Sequence, residues 1–362
     1  MNGLLFVVLI LVAIGLHEFG HFITAKKFGM KVDRFFIGFG PPIWSVKRGE
    51  TEYGFAWIPA GGYVRIAGMN PFEEVPDEDK HRVFKAKKPW QRAIVLAAGS
   101  TMHFLIAFVM LAALLMTAGI KDGDATRTVY EVEPGTPAAA AGFRTGDTVL
   151  AVDGAGVTSW EEARNIIRSK PGETISFTVE RDGAEKTLRA TLRSANPDGL
   201  AVGFLGVAPD IESVRRGPLT AVGQSAKFVP IFAWESLKNL GRIVSPSTFA
   251  HMFQVLLGNE ERKIDDPASI VGVTRAAGSS SIVNLLFLFI GFNIFIGVAN
   301  LLPLPPLDGG HLAVLTYEKI RKRDVDMRKL IPVSATVIAV FLGLFVLSLA
   351  MDIVAPLPAL PN

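Results

Sequence analysis

The segment His17-Glu18-Phe19-Gly20-His21 puts two imidazoles four residues apart, with a carboxylate next to the first. On a helix, positions i and i+4 share a face, so both rings can reach one metal ion while the carboxylate sits one residue round, beside a water on that ion. A metal in such a site lowers the pKa of its water towards about 7 and a nearby carboxylate takes the proton, which is the chemistry of zinc hydrolases. An open tetrahedral site needs a third protein ligand. The 362 residues contain no cysteine, so that ligand is a histidine or a carboxylate, and thiol nucleophiles, disulfide scaffolds and thiolate clusters are excluded. Asp308 is the candidate. It closes the stretch 300–308, where Pro303, Pro305 and Pro306 forbid a continuous helix.

The elements that must carry these groups are apolar. The chain is 49% hydrophobic and only 20% charged, against about a quarter charged in an ordinary soluble domain, and its mean hydropathy is +0.36. The excess is concentrated in blocks at 1–25, 93–119, 282–302 and 330–351, each near the roughly 20 residues that cross a bilayer as a helix. The first block has no basic start and no small-residue cleavage site, so it reads as a span and not as a signal peptide. Residues 4–16 alone would reach roughly 20 Å against a core of about 30 Å, so the span runs on to Lys26 and Lys27 and encloses His21. A glutamate at that depth costs about 2.5 to 3.5 kcal/mol and is kept for a partner or a role. The unwound stretch before Asp308 is tolerated at membrane depth only where it is buried in protein or lines a wet cavity.

Residues 24–92 carry a net charge of +5 and residues 316–329 of +3, whereas 118–280 carry −2. By the positive-inside rule the two basic segments are cytoplasmic and the long middle segment is outside, which brings His21 and Asp308 to the same side. The whole-chain charge of +3 gives no footprint for nucleic acid. Within the middle segment, β-type runs at Thr128 to Val132, Asp147 to Val152 and Ile175 to Glu180 alternate with turns such as Asp153-Gly154. Helical stretches are expected at Pro137 to Ala141 and at Ser159 to Ser169, the second capped by Ser159. This predicts an α/β module over 126–193. The following region, 194–281, reads as an amphipathic linker in which Phe249, Met252, Phe253, Leu256 and Leu257 share a helical face, with Ser247 available as cap and either the bilayer or the module as its partner. A Pro-rich tail occupies 352–362.

The first-span motif together with the segment from Asn300 to Gly310 resembles the site-2 proteases, which are intramembrane zinc metalloproteases. Pro137-Ala138, Gly142-Phe143, Gly146-Asp147 and Val152-Asp153-Gly154 look like a bacterial PDZ domain, and a PDZ domain between spans two and three looks like the bacterial branch that cleaves anti-sigma factors. Ile37 to Gly40 and Ile58 to Val64 are similar to the family's membrane-dipping β-region, placed here at 26–92, and 266–272 is similar to its segment before span three. The fold implied is a membrane α-helical one: four transmembrane helices, a membrane-associated β-region and an inserted extracytoplasmic α/β PDZ domain. The resemblance implies that His17, His21 and Asp308 bind Zn2+ and that Glu18 is the general base. It implies that Asn300 lies near the substrate and that Gly38 and Gly40 belong to a loop that holds the substrate as an added strand. It further implies a multi-pass protein of the bacterial cytoplasmic membrane whose partners are the lipid bilayer, single-span substrates of the anti-sigma-factor type cut first outside the membrane, and a peptide on the PDZ domain. Its active site would lie near the cytoplasmic side, between the first span and Asp308, which lies in the segment 303–329 that follows the third span at 282–302. Two departures stand out: one PDZ domain, and Gly99-Ser100 with His103 where the family shows Gly-Pro and an Asn. His103 is read as a packing or substitute polar residue. Two other functions compete, a non-catalytic PDZ adaptor with a structural zinc and a metal transporter. The second lacks an inverted repeat.

Overall fold

The computed structural model of the chain describes residues 2–70, 73–197, 199–263, 266–279, 281–323 and 325–356. Most of the expected tail therefore lies outside the described residues. Two compact units are present, one made of residues 1–114 and 218–362, the other of 115–217.

The first unit opens with helix α1 (Asn2–Lys27), which has no charge before Glu18 and ends on Lys26 and Lys27. Gly29 adopts a left-handed φ of +64°, and the amides of Gly29 and Met30 return to the carbonyls of Lys26 and Ala25, the glycine-based cap that stops a helix. The chain then forms an antiparallel hairpin of β1 (Val32–Arg48) and β2 (Thr51–Ile66), with repeated register shifts from Arg34 to Trp44. Glu50 in its turn binds both Lys26 and Arg82, at 2.6 and 2.7 Å, and so ties the hairpin to the end of α1. Helix α2 (Pro89–Thr117) starts on a proline, whose fixed φ suits a first helical position. It crosses α1 at Gly20, where a Cβ would stand 2.6 Å from the Ala98 carbonyl oxygen.

The second unit is an antiparallel sheet. Strand β3 (Ile120–Val132) is followed by α3 (Pro137–Ala141), β4 (Thr148–Val152), β5 (Ala155–Gly156), α4 (Trp160–Arg168), β6 (Thr174–Arg181), β7 (Ala184–Thr191) and β8 (Val207–Val214). The order is β7-β6-β4-β3-β8, with β5 on β4. Ser159 caps α4 through the Glu162 amide, as its place before two acidic residues predicts. Phe177, Val152, Val179 and Ala163 are fully buried in one core. This is the α/β module expected from the sequence, but it is larger than 126–193, because β8 pairs along β3 from Val132 back to Ile120. The expected linker thus begins with a strand of the sheet.

The first unit resumes with α5 (Pro218–Ile243), α6 (Pro246–Leu256), α7 (Ile270–Ser279), α8 (Ile282–Asn300), α9 (Asp308–Arg321) and α10 (Ile331–Val354). Four helical segments, Asn2–Lys27, Pro89–Thr117, Ile282–Asn300 and Arg328–Val354, are long and apolar enough to cross a membrane. The 26-residue α5 was not expected: Pro230 and four charged residues interrupt its apolar pattern, and its small face, Ala221 and Ser225 among others, is buried. Ser245, not Ser247, caps α6 by accepting from the Thr248 amide, since Pro246 already occupies the first helical position. Met252 and Phe249 pack against Leu344, Leu347 and Met351 of α10, so within the first unit this helix is partnered by the fourth span. Phe253 and Leu257, counted to the same face, are exposed.

In the second unit Asp147 has no exposed side-chain surface and is bound by Arg181 at 2.6 Å and by the Arg144 amide at 2.9 Å. Burial alone would push its carboxyl up, but the Arg181 guanidinium and the Arg144 amide hold it below the usual carboxylate range. A lowered carboxyl stabilises the fold above its unfolded pKa, and that stability is lost as the pH falls through the folded value. Asp147→Asn is expected to destabilise this unit by about 3 kcal/mol at neutral pH, leaving Arg181 without its partner. The difference between wild type and variant should begin to shrink below about pH 4, where the unfolded-state carboxyl starts to protonate, and close only once the pH has fallen through the lower folded value. Urea-dependent proteolysis of the full chain in detergent, read at cleavage sites within 115–217, measures both.

Candidate metal centre

The crossing at Gly20 sets the site. It presses the His17 and His21 face of α1 against α2 at Gly99, where a Cβ would come 2.3 Å from His21 Nε2 and 2.5 Å from His17 Cε1. Only a glycine leaves room for both rings. His21 is buried, and its Nδ1 donates to the Val95 carbonyl of α2 at 2.7 Å. A carbonyl can only accept, so the neutral ring carries its proton on Nδ1 and turns the Nε2 lone pair inwards. The third group arrives from the other end of the unit. After α8 stops at Asn300 the chain loops through its prolines and folds back on the start of α9, where added Cβ atoms at Gly309 and Gly310 would strike the backbone of Leu301 at 2.2 Å and of Pro305 at 2.4 Å. That return seats Asp308 as the first residue of α9. Arg92 of α2 holds α9 through Glu318 at 3.2 Å.

The Nε2 atoms of His17 and His21 are 3.2 Å apart. Asp308 Oδ2 lies 3.5 and 3.3 Å from them, is buried, and has no conventional hydrogen-bond partner. Ligand atoms about 2.0 to 2.1 Å from the centre of a tetrahedron stand about 3.3 Å apart, so this triangle has the edge length of a zinc site. Two lone pairs and a carboxylate at such spacing repel one another unless a cation lies among them. The donor set therefore fits zinc. Among the described residues, this trio is the one group of three or more histidine and carboxylate side chains whose ligand atoms converge in this way.

A cavity of about 430 Å³ reaches the trio at His17 and is lined also by Glu18, by apolar side chains such as Ile14 and Phe292, and by Asn300. Glu18 reaches it beside Gly62 of β2, where a Cβ would press to 2.7 Å of its Cγ. Phe39 and Gly61 also line the cavity, whereas Gly38 and Gly40 flank Phe39 with φ of +94° and +89°. Gly38 is packed so closely that a Cβ would meet the Ala56 carbonyl at 2.7 Å. His103 stands on the α2 wall with its ring 5.0 Å from that of His17.

The model of the peptidase family M50 matches residues 5–346. The chain belongs to peptidase family M50. Zinc metalloprotease Rip1 of Mycobacterium tuberculosis is 32% identical to it over 98% of this chain and 97% of its own length. Metalloprotease MmpA of Caulobacter vibrioides is 34% identical over 89% and 87%. The PDZ domain of the SdrC-like protein from Listeria innocua aligns with 24% of this chain and 93% of its own, at 22% identity and a TM-score of 0.21. This M50 protein is a zinc metalloendopeptidase with membrane-spanning helices, and the adaptor and transporter readings fall away.

Reading the sequence did not assign Gly99 or Gly62 a place in the site. Gly99 had a signal, since glycine inside a helix costs about 1 kcal/mol against alanine and calls for a packing reason. Gly99→Ala is expected to lose most of its bound zinc, with at least tenfold weaker affinity, while Gly343→Ala, where an added Cβ meets nothing within 4 Å, keeps it. Metal content of the purified chains by mass spectrometry decides this.

Proposed function

We propose that His17, His21 and Asp308 hold the zinc of an intramembrane endopeptidase and that Glu18 is its general base. The observation that carries the reading is the triangle of donors at 3.2 to 3.5 Å, set beside Glu18 on the wall of an apolar cavity. Bound there, zinc supplies Lewis acidity that polarises a peptide carbonyl and makes a water nucleophilic near neutral pH. Glu18 takes the proton of the attacking water and delivers it to the nitrogen of the leaving amine as the C–N bond breaks. Val95 orients His21 throughout by accepting from its Nδ1. Apolar walls exclude bulk water, which strengthens each of these interactions.

The substrates are single-span membrane proteins of the anti-sigma-factor type, cut first outside the membrane. A helix hides its peptide bonds in i to i+4 hydrogen bonds, so the cleaved segment must unwind, and an extended edge on the β1–β2 hairpin around Phe39 accepts the freed backbone as an added strand. Asn300 contacts the same segment from α8. The basic segments 24–92 and 316–329 support a cytoplasmic position for the site and an extracytoplasmic one for the α/β unit, which acts as a PDZ domain on peptide ends.

Glu18→Gln is expected to lower kcat by about 10³-fold, within the range for a lost general base, and to retain zinc. Cleavage of a tagged single-span protein by the full chain in detergent, with zinc measured in parallel, tests the assignment, and an active, zinc-loaded variant sinks it. A chelator should abolish cleavage and added zinc restore it.

A further inference from the structure

The α2 wall of the cavity holds a histidine to which this mechanism gives no task. His103 is buried and lines the cavity together with Glu18 and Asn300. Its Nδ1 lies 2.9 Å from Oδ1 of Asn293, a fully buried residue of α8. The Asn293 amide nitrogen donates to the Phe289 carbonyl, also at 2.9 Å. Because that carbonyl can only accept, the amide orientation is fixed, and Oδ1 must receive its proton from His103 Nδ1. The neutral ring is held as the Nδ1–H tautomer, which leaves Nε2 a bare acceptor. The approach of the two helices is built for this contact: a Cβ on Gly297 would stand 3.2 Å from His103 Cβ. Asn293, Gly297 and Asn300 follow the i, i+4, i+7 spacing of one face, the polar and small face of an otherwise apolar helix.

A buried His–Asn pair between two apolar spans is costly compared with an apolar pair of the same shape, which asks for a use of the remaining lone pair. The cavity supplies one. A substrate segment unwound there has peptide N–H groups that have lost their helical acceptors, and apolar walls such as Ile14 and Phe292 offer none. We infer that His103 is a substrate-binding residue whose neutral Nε2 accepts a hydrogen bond from one backbone N–H of the unwound substrate, with Asn293 positioning it by fixing the tautomer. The assignment rests on the cavity being the peptidase site.

The test uses the full chain in detergent micelles and a synthetic single-span peptide selected because the wild type cleaves it, together with copies N-methylated at one amide each around the scissile bond. His103→Phe is expected to lower kcat/KM about tenfold or more with zinc content unchanged, at the cost of a lower melting temperature because Asn293 Oδ1 loses its donor, and His103→Gln, which retains an acceptor oxygen and an amide donor, to recover most of both. At one amide, N-methylation should cost the wild type about tenfold and cost His103→Phe nothing further, because both remove the same hydrogen bond. Losses that add at every amide overturn the inference, as does a His103→Gln variant that loses zinc along with His103→Phe. If His103→Phe does not fold, Asn293→Leu runs the same cycle and should show the same non-additive amide. Glu18→Gln separates the two readings: an active, zinc-loaded variant removes the peptidase site itself, whereas an inactive one with additive losses removes only the role of His103.

Discussion

Three electron-rich atoms, two imidazole nitrogens and a carboxylate oxygen, stand 3.2 to 3.5 Å apart inside a bundle of apolar helices. Their mutual repulsion at low dielectric is relieved only by a cation among them, so the surrounding scaffold has to bring them together against that repulsion. It does so by removing side chains. Gly20 lets α1 cross α2, Gly99 leaves space for both rings, and Gly309 and Gly310 let the loop after α8 fold back on α9. Each is a place where a single methyl group would move a donor by more than a zinc site tolerates.

Other polar groups in the first unit obey the same rule of mutual satisfaction. Arg262 and Asp352 form a buried pair at 2.7 Å, and Asp352 also accepts from the Ser269 amide at 2.8 Å. Gly272 passes so close that a Cβ would overlap the Asp352 carboxylate at 2.3 Å. These contacts anchor α7 on the end of the fourth span, and Ile270 at the start of α7 lines the cavity that holds His17 and Glu18. A buried pair of this kind returns little net stability after desolvation, and its value lies in fixing one arrangement of the helices. Membrane-embedded catalysis needs that fixity, because no bulk water is present to solvate a donor that drifts out of place.

The second unit is built by the rules of water. Its core is an alternating-strand core around Phe177 and Val179, the fully buried charge of Asp147 is paired with Arg181, and α4 carries the Ser159 cap that its sequence announces. Local signals were sufficient there, since turn residues and strand alternation act over a few positions. They failed at β8, which is separated from its partner β3 by the whole module and has no turn signal linking the two. They failed again at α5 and at the cap of α6, where burial against spans, not local pattern, decides which residues are helical and which face is covered.

The sequence by itself determined the four apolar helices and the absence of thiol chemistry, and it pointed to His17, Glu18, His21 and Asp308 as candidates, because these follow from residue type, helical spacing and the cost of placing polar groups in hydrocarbon. The tertiary structure alone decided that Asp308 closes the triangle at 3.3 and 3.5 Å, that Gly99 and Gly62 make room for His17, His21 and Glu18, and that His103 is locked to Asn293. Those relations join residues from 44 to 291 positions apart. Helix period and hydropathy report on neighbours within a few turns, whereas a gap that must stay empty and a proton that must sit on one nitrogen are properties of surfaces meeting in space.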